Sequence, residues 1–234
     1  MHRVVEPELL DNLPPADPQA VGSRADLRRL NLLMGHAGIL SRALRQQLAE
    51  TSFRARPLRL VELGAGDGTL LLQVARRWSV LGVAAEVTLL DRQNLVSVET
   101  RRAFAALNWS VECVATDVLA WLEQPSPTVD LMITNLFLHH FQEKKLATLL
   151  RLAAAGTRLF IACEPRRSPH APGACQWLWL IGCNAVTRHD AAVSVRAGFA
   201  GREVSALWPA TGNWALKERP AGLFSHCFIA KQNA

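Results

Sequence analysis

An α/β protein built on a doubly wound sheet is expected here, and three features point to it. Short aliphatic, β-favouring runs alternate along the chain with stretches of helical periodicity. One of these runs, Leu58 to Leu63, passes into the glycine turn Gly64-Ala65-Gly66-Asp67-Gly68 and then into an apolar helical pattern from Thr69. Acidic residues recur at or just after the ends of three successive strand candidates, at Glu62, Asp91 and Asp117. Open α/β sheets gather their ligand-binding groups at those carboxyl ends. With 234 residues, half of them apolar, the chain is long enough for one core of this kind.

In chain order, a Pro- and Asp-rich leader through Pro18 is expected to be loose or loop-like. Leu27, Leu30, Leu33, Met34, Leu40, Leu44 and Leu48 then recur at helical spacing, while Gly35 and Gly38 invite a break, so one or two helices precede the first strand. The chain thus divides into a leader with N-terminal helices over 1–54 and an α/β unit over 55–234. The glycines at 64, 66 and 68 let the backbone turn sharply and approach a ligand, because no Cβ obstructs positive φ. A helix follows over 69–78, then a strand over 86–90 ending in Asp91, a helix over 95–107 and a third strand over 111–115. Asp117 is suited to cap a helix over 119–123. The fourth strand, 129–134, leads into Asn135-Leu136-Phe137-Leu138-His139-His140-Phe141 and a helix over 143–154. The fifth, 157–163, runs into Glu164-Pro165-Arg166-Arg167. The stretch 174–188 is apolar almost all round, with Trp177 and Trp179 embedded, and reads as a buried helix or one roofing an apolar pocket. A helix ending near Ala197-Gly198 and strand candidates at 202–207 and 223–230 close the chain.

Several functional classes are disfavoured. The net charge of +6 is spread over pairs such as Arg28-Arg29, Arg76-Arg77, Arg101-Arg102 and Arg166-Arg167, with no long basic run and no interleaved aromatics. That speaks against a nucleic-acid partner, and the same positive field suits an anionic or phenolate-bearing small molecule. Five cysteines, an odd number without C-x-x-C spacing, form neither a disulfide framework nor a metal set. The N-terminus lacks the basic-then-apolar order of a signal peptide, and the longest strongly apolar stretch, 177–186, is short of the ~20 residues that span a bilayer. A cytoplasmic protein is expected, with a homodimer left open. The dinucleotide fingerprint G-x-G-x-x-G needs its third glycine at position 69, where this chain has Thr69, so a pyrophosphate site is disfavoured.

The segment Glu62-Leu63-Gly64-Ala65-Gly66-Asp67-Gly68 resembles motif I of the class I S-adenosylmethionine (SAM) methyltransferases, acidic-x-G-x-G-x-G. The resemblance covers about residues 55–232 and implies the family's Rossmann-like, seven-stranded sheet, ordered 3-2-1-4-5-7-6 with strand seven antiparallel. It implies SAM as cofactor and S-adenosylhomocysteine (SAH) as product. Carried onto this chain, it sets Glu62 against the amino acid end of SAM and Gly64, Ala65, Gly66 and Gly68 in the turn beneath it. It gives Asp91, with Arg92 beside it, the ribose, where one carboxylate can accept from both vicinal hydroxyls. It puts Asp117 and Val118 at the adenine, and Asn135 also falls in the cofactor set. Nucleobase and protein amide N-methyltransferases usually carry Asn/Asp-Pro-Pro-aromatic after strand four, which is absent here. The form Asn-x-x-x-His-His-Phe is similar to the small-molecule branch, which includes quinone, polyketide and natural-product O- and C-methyltransferases.

Methyl transfer is an in-line displacement at a sulfonium carbon, so the protein positions two reactants and, for a hydroxyl acceptor, removes a proton. His139 and His140 follow strand four near the methyl position, and an imidazole pKa of ~6.5 suits that proton. Adjacent residues on a turn point in different directions, so at most one faces the acceptor. His140 is placed ahead of His139, and each reads equally as a packing or helix-start histidine. His189 with Asp190 is a third candidate base, or else part of a helix-to-helix connection with Asp190 as N-cap. Substrate-binding candidates are Met34, with Asn31 and His36, on helices that form a lid in the family or merely pack on the sheet edge, and then Glu164, Asn184, Arg188 and Arg196. The expected activity is methyl transfer from SAM to a small aromatic or polyketide-like acceptor, O-methylation favoured over C-methylation. The rivals are a non-catalytic SAM-fold partner or sensor subunit and an aminopropyltransferase using decarboxylated SAM.

Overall fold

The computed structural model describes residues 2–48, 56–79, 82–125, 128–168, 173 and 175–233. One sheet organises them: β1 (Leu58–Leu63), β2 (Ala85–Asp91), β3 (Trp109–Ala115), β4 (Leu131–Asn135), β5 (Leu159–Pro165), β6 (Trp214–Ala221) and β7 (Ser225–Gln232). Their order is β3-β2-β1-β4-β5-β7-β6, with β7 antiparallel to both neighbours. This is the class I methyltransferase fold, and its strand order is the expected one.

Helices cover both faces. On one, α2 (His36–Leu48), α3 (Thr69–Trp78) and α4 (Val98–Ala105) bury Leu40, Leu44, Leu71, Val74, Trp78 and Phe104 against the strands. On the other, α5 (Val118–Leu122), α6 (Glu143–Gly156) and α8 (Glu203–Leu207) contribute Val118, Leu146, Leu150 and Val204. Two elements complete the set: α1 (Pro18–Leu33) before α2, and α7 (Ala185–Ala197) before α8. Asp17 caps α1 by accepting from the Gln19 and Ala20 amides, with Pro18 pre-set at the first helical position. The break between α1 and α2 falls at Gly35, at φ 68°, whereas Gly38 is absorbed into α2. The expected division at residue 54 falls outside the described residues.

Three expectations need correction. The stretch 174–188 is not one buried helix. Among its described residues, Gln176–Ile181 is a 3₁₀ turn stopped by Gly182 at φ 77°, after which Asn184 accepts from the Thr187 amide and starts α7. That cap outcompetes the apolar continuity and turns Trp177 and Trp179 outward, 64% and 55% exposed. The stretch 202–207 is a helix, α8, because the Glu218 carboxylate accepts from the Val204 and Ser205 amides at its start. The strand place goes to β6, whose Lys217, Glu218, Arg219 and Pro220 suit an edge paired on one side.

The leader is irregular but not loose. Arg3 donates to the carbonyls of Ala197 (2.8 Å), His139 (3.0 Å) and Phe141 (2.9 Å). The amides of Leu9 and Leu10 donate to Asp190 at 2.8 and 2.9 Å. Asp190 therefore lies within α7 and holds the leader, instead of capping a helix of its own.

Candidate functional site

A cleft of about 690 Å³ opens at the carboxyl ends of β1, β2 and β4. Its floor is the glycine turn, where the amides of Gly64 and Ala65 donate to the Leu90 carbonyl at 2.9 and 3.0 Å. Gly64, Gly66 and Gly68 all take positive φ. A Cβ on Gly64 would stand 2.3 Å from the Phe137 ring, whereas one on Gly66 would meet only open space. Gly66 thus leaves room for a ligand over the bare backbone.

Three carboxylates ring this floor. Glu62, at the end of β1, is 2% exposed, and its Oε2 has no partner among the described residues. Burial, reinforced by the charges of Asp67 and Asp91, lifts its pKa well above the ordinary carboxylate range. The site therefore calls for a cation or donor at Glu62. Asp91 accepts from the Gly66 amide at 2.9 Å and from Gln93 at 3.0 Å, tying β2 to the turn. Asp117 caps α5 through the Leu119 and Ala120 amides and lines the cleft beside Val118 and Leu119. The exposed Arg92 lines the same rim.

Helix α1 covers the cleft with Arg24, Leu27, Arg28 and Asn31. Arg28 pairs with Asp67 at 2.8 Å, and Asn135 donates to Asn31 at 3.2 Å while its own Oδ1 is buried with no partner among the described residues.

The opposite wall is the 3₁₀ turn Leu138–His140, held from beneath by Glu164 at the end of β5. Glu164 is 1% exposed and accepts from the amides of Phe137 (3.1 Å) and Leu138 (3.0 Å) and from His139 Nδ1 (2.8 Å). Burial alone would raise its pKa, but these donors lower it. His139 Nε2 and His140 Nε2 each lie 3.3 Å from a different oxygen of Glu8. The remaining nitrogen of His140 faces the Phe137 carbonyl at 3.0 Å, and Ser194 donates to Glu8. Burial would lower the His140 pKa, yet its contact with Glu8, aided by Asp11, raises it to about 9. Glu8 is depressed in turn: burial pushes it up, and the two imidazoles more than reverse that. At neutral pH His140 is therefore a cation against a carboxylate.

The cleft brings together Glu62, Gly64, Ala65, Gly66, Asp91, Arg92, Asp117, Val118, Asn135, His139 and His140, with Gly68 behind the turn and Glu164 behind His139. Apart from Asn31, which lines the cleft from α1, it does not bring in the other candidates. His189 is half-exposed on α7 and pairs with Asp190, away from the cleft. Asn184 spends its side chain on the Thr187 amide and the Gln19 carbonyl, and Arg196 pairs with Glu6. Met34 sits at the end of α1, and His36 is buried between Asn31 and Ser225. Sequence reasoning missed Glu8, which lies 131 residues from His139. The one local signal was an acid preceding the apolar pair Leu9-Leu10 in a leader otherwise read as loop.

Residues 60–158 match the family model of a methyltransferase domain. No curated protein matches the chain. Among solved structures it is similar to the plantazolicin methyltransferase BamL in complex with a triazolic desmethylPZN analog and SAH, at 11% identity and TM-score 0.67, over 94% of this chain and 93% of that one. It is similar to an O-methyltransferase family 2 protein from Planctomyces limnophilus in complex with apigenin, at 14% identity and TM-score 0.60. It also resembles an O-methyltransferase family protein from Burkholderia thailandensis, at 17% identity and TM-score 0.59. The chain covers 62% and 61% of those two O-methyltransferases, with 93% and 94% of its own length aligned. At these identities the likeness establishes the fold.

Proposed function

We propose that this chain, whose residues 60–158 match a methyltransferase domain and whose fold is that of the class I enzymes, moves a methyl group from SAM to the hydroxyl of a small, flat acceptor. One observation carries the reading. A single cleft sets the unpartnered buried carboxylate of Glu62 and a bare glycine floor opposite the His139-His140-Glu8 cluster. SAM supplies an electrophilic methyl group on a sulfonium centre. Its ammonium group is the cation that Glu62 lacks, and its ribose and adenine suit Asp91 and Asp117, as the resemblance implies. Asn135, Gly64, Ala65, Gly66 and Gly68 shape the floor, with Arg92 and Val118 at the rim. The structure of BamL with SAH is consistent with this choice of cofactor.

The acceptor occupies the His140 side. Phe137 and Phe141, whose rings pack edge-on at 5.1 Å, line it and offer apolar surface to a flat ring, the place the sequence reading gave to Trp177 and Trp179. A positive His140 is not the base expected from the sequence; it would stabilise an acceptor oxygen that has already lost its proton to solvent, which favours acidic phenols and enols over amines. The leader and α1 roof the cleft and exclude water as a lid would. The small-molecule partner and cytoplasmic setting belong to this reading, and a nucleic-acid partner does not. A purely non-catalytic role leaves the His-Glu cluster unused, and a dependence on polyamines would mark an aminopropyltransferase.

The test is incubation with SAM and a panel of phenols, enols and amines, read by mass spectrometry. O-methyl products and release of SAH are expected. His140→Gln is expected to lower kcat by about 100-fold or more while SAH affinity is kept. Methylation of amines or carbon alone would overturn the hydroxyl assignment.

A proton balance follows from Glu62. Its raised pKa favours the protonated form of the free carboxyl and an ammonium partner favours the ionised form, so cofactor binding is expected to release protons. SAH affinity is expected to rise with pH as the free Glu62 carboxyl ionises above the ordinary carboxylate range, and Glu62→Gln is expected to flatten that rise. Calorimetry in buffers of different ionisation enthalpy measures the proton directly, and a pH-independent wild-type affinity would contradict the assignment.

A further inference from the structure

We propose that Glu8, His139 and His140 form a binding site for one divalent transition-metal ion of the Zn²⁺ or Fe²⁺ class, set beside the acceptor pocket. One donor atom from each of the three residues lies within 4.8 Å of the others. Each Nε2 lies 3.3 Å from one of the two Glu8 oxygens, so both imidazoles turn the same ring nitrogen toward this carboxylate.

The hydrogen bonding around the rings carries the argument. All four ring nitrogens of the two histidines face acceptors: Glu164 and the Phe137 carbonyl at the Nδ1 atoms, and the two Glu8 oxygens at the Nε2 atoms. Without a metal, satisfying all four contacts demands two imidazolium rings side by side, with centroids 4.2 Å apart, balanced by the Glu8 and Glu164 carboxylates. With a divalent cation among the Nε2 atoms and the carboxylate, both rings are neutral. Each Nδ1–H then donates to its acceptor, and each Nε2 lone pair faces the ion.

The supporting contacts are those that metal ligands receive. Glu164 orients His139, the Phe137 carbonyl orients His140, and Ser194 donates to Glu8. Three protein ligands opening onto a cleft leave a coordination position free for an exogenous ligand. Two imidazoles and one carboxylate select a transition metal over Mg²⁺ or Ca²⁺, which prefer oxygen. The ion's role rests on the proposed function: it would hold the acceptor oxygen as its anion, supplying positive charge where the metal-free cluster has the His140 cation. Binding of the ion does not depend on that reading.

The test uses the full chain stripped with a chelator, titrated with Zn²⁺ by calorimetry and with Co²⁺ by absorption spectroscopy, with SAH titrated into the same preparation. One Zn²⁺ per chain is expected, with a nitrogen- and oxygen-ligated Co²⁺ spectrum and no competition by Mg²⁺. Glu8→Gln and His140→Gln are each expected to weaken Zn²⁺ by about 100-fold or more, with circular dichroism and SAH binding reporting that the fold is intact. No stoichiometric binding, affinity unchanged in both variants, or a thiolate band from the cysteines would overturn the site. SAH binding without Zn²⁺ binding defeats this inference alone, and Zn²⁺ binding without SAH binding defeats the methyltransferase reading alone.

Discussion

Gly64→Ala is expected to weaken SAH by about 100-fold or more and to abolish methyl transfer with it. A Cβ at this position stands 2.3 Å from Cδ2 and 2.5 Å from Cγ of Phe137, and the backbone sits at φ 70°. The left-handed conformation alone costs an alanine about 1–2 kcal/mol. The steric overlap is the larger effect, because the Phe137 ring has to leave. Phe137 lies two residues ahead of His139 and donates its amide to Glu164, so moving it displaces both walls of the cleft. Gly66→Ala is the informative comparison: its Cβ meets no protein atom, so the fold is kept and the methyl group competes with the ligand directly. Calorimetric titration of SAH and a thermal melt separate the two cases. Wild-type affinity in Gly64→Ala would mean that the turn does not hold the cofactor.

Glu164→Ala is expected to cost about 3–5 kcal/mol of stability. The carboxylate is 1% exposed and accepts from the Phe137 and Leu138 amides and from His139 Nδ1, all of which lose their partner. For a chain of this size that corresponds to a fall in melting temperature of about 10 °C. The effect depends on pH. The folded-state pKa of Glu164 is depressed, so the stability it contributes is present above the ordinary carboxylate value and is lost as pH falls through the depressed one. The gap between wild type and variant should therefore be widest near neutrality and close in acid. Urea melts across pH measure it, and a gap that widens in acid would contradict the ionised assignment.

The parts of this molecule that were legible in its sequence are those fixed by local chemistry. The span from Leu58 to Trp78 reads directly, since an apolar strand, a positive-φ turn and an amphipathic helix each need particular residue types in a fixed order. The carboxyl-end acids read for the same reason. Strand β6 did not, because an edge strand paired on one side tolerates the Lys-Glu-Arg-Pro run that looks like loop. Residues 202–207 look like a strand until Glu218, distant in sequence, caps them as a helix. Trp177 and Trp179 suggested a pocket wall, but one asparagine cap and one left-handed glycine turned them to solvent. The candidate site divides the same way. Its proposed cofactor side comes from consecutive strand ends, while its proposed acceptor side depends on Glu8, which only the folded chain brings to His139 and His140.

The most direct measurement is calorimetric titration of SAH into the wild-type chain and into Glu62→Gln and Asp91→Asn. Micromolar binding by wild type, lost in both variants, is the result expected if Glu62 and Asp91 hold the two ends of the cofactor. Absence of wild-type binding, or equal binding by all three proteins, would contradict the cofactor site and with it the proposed methyl transfer.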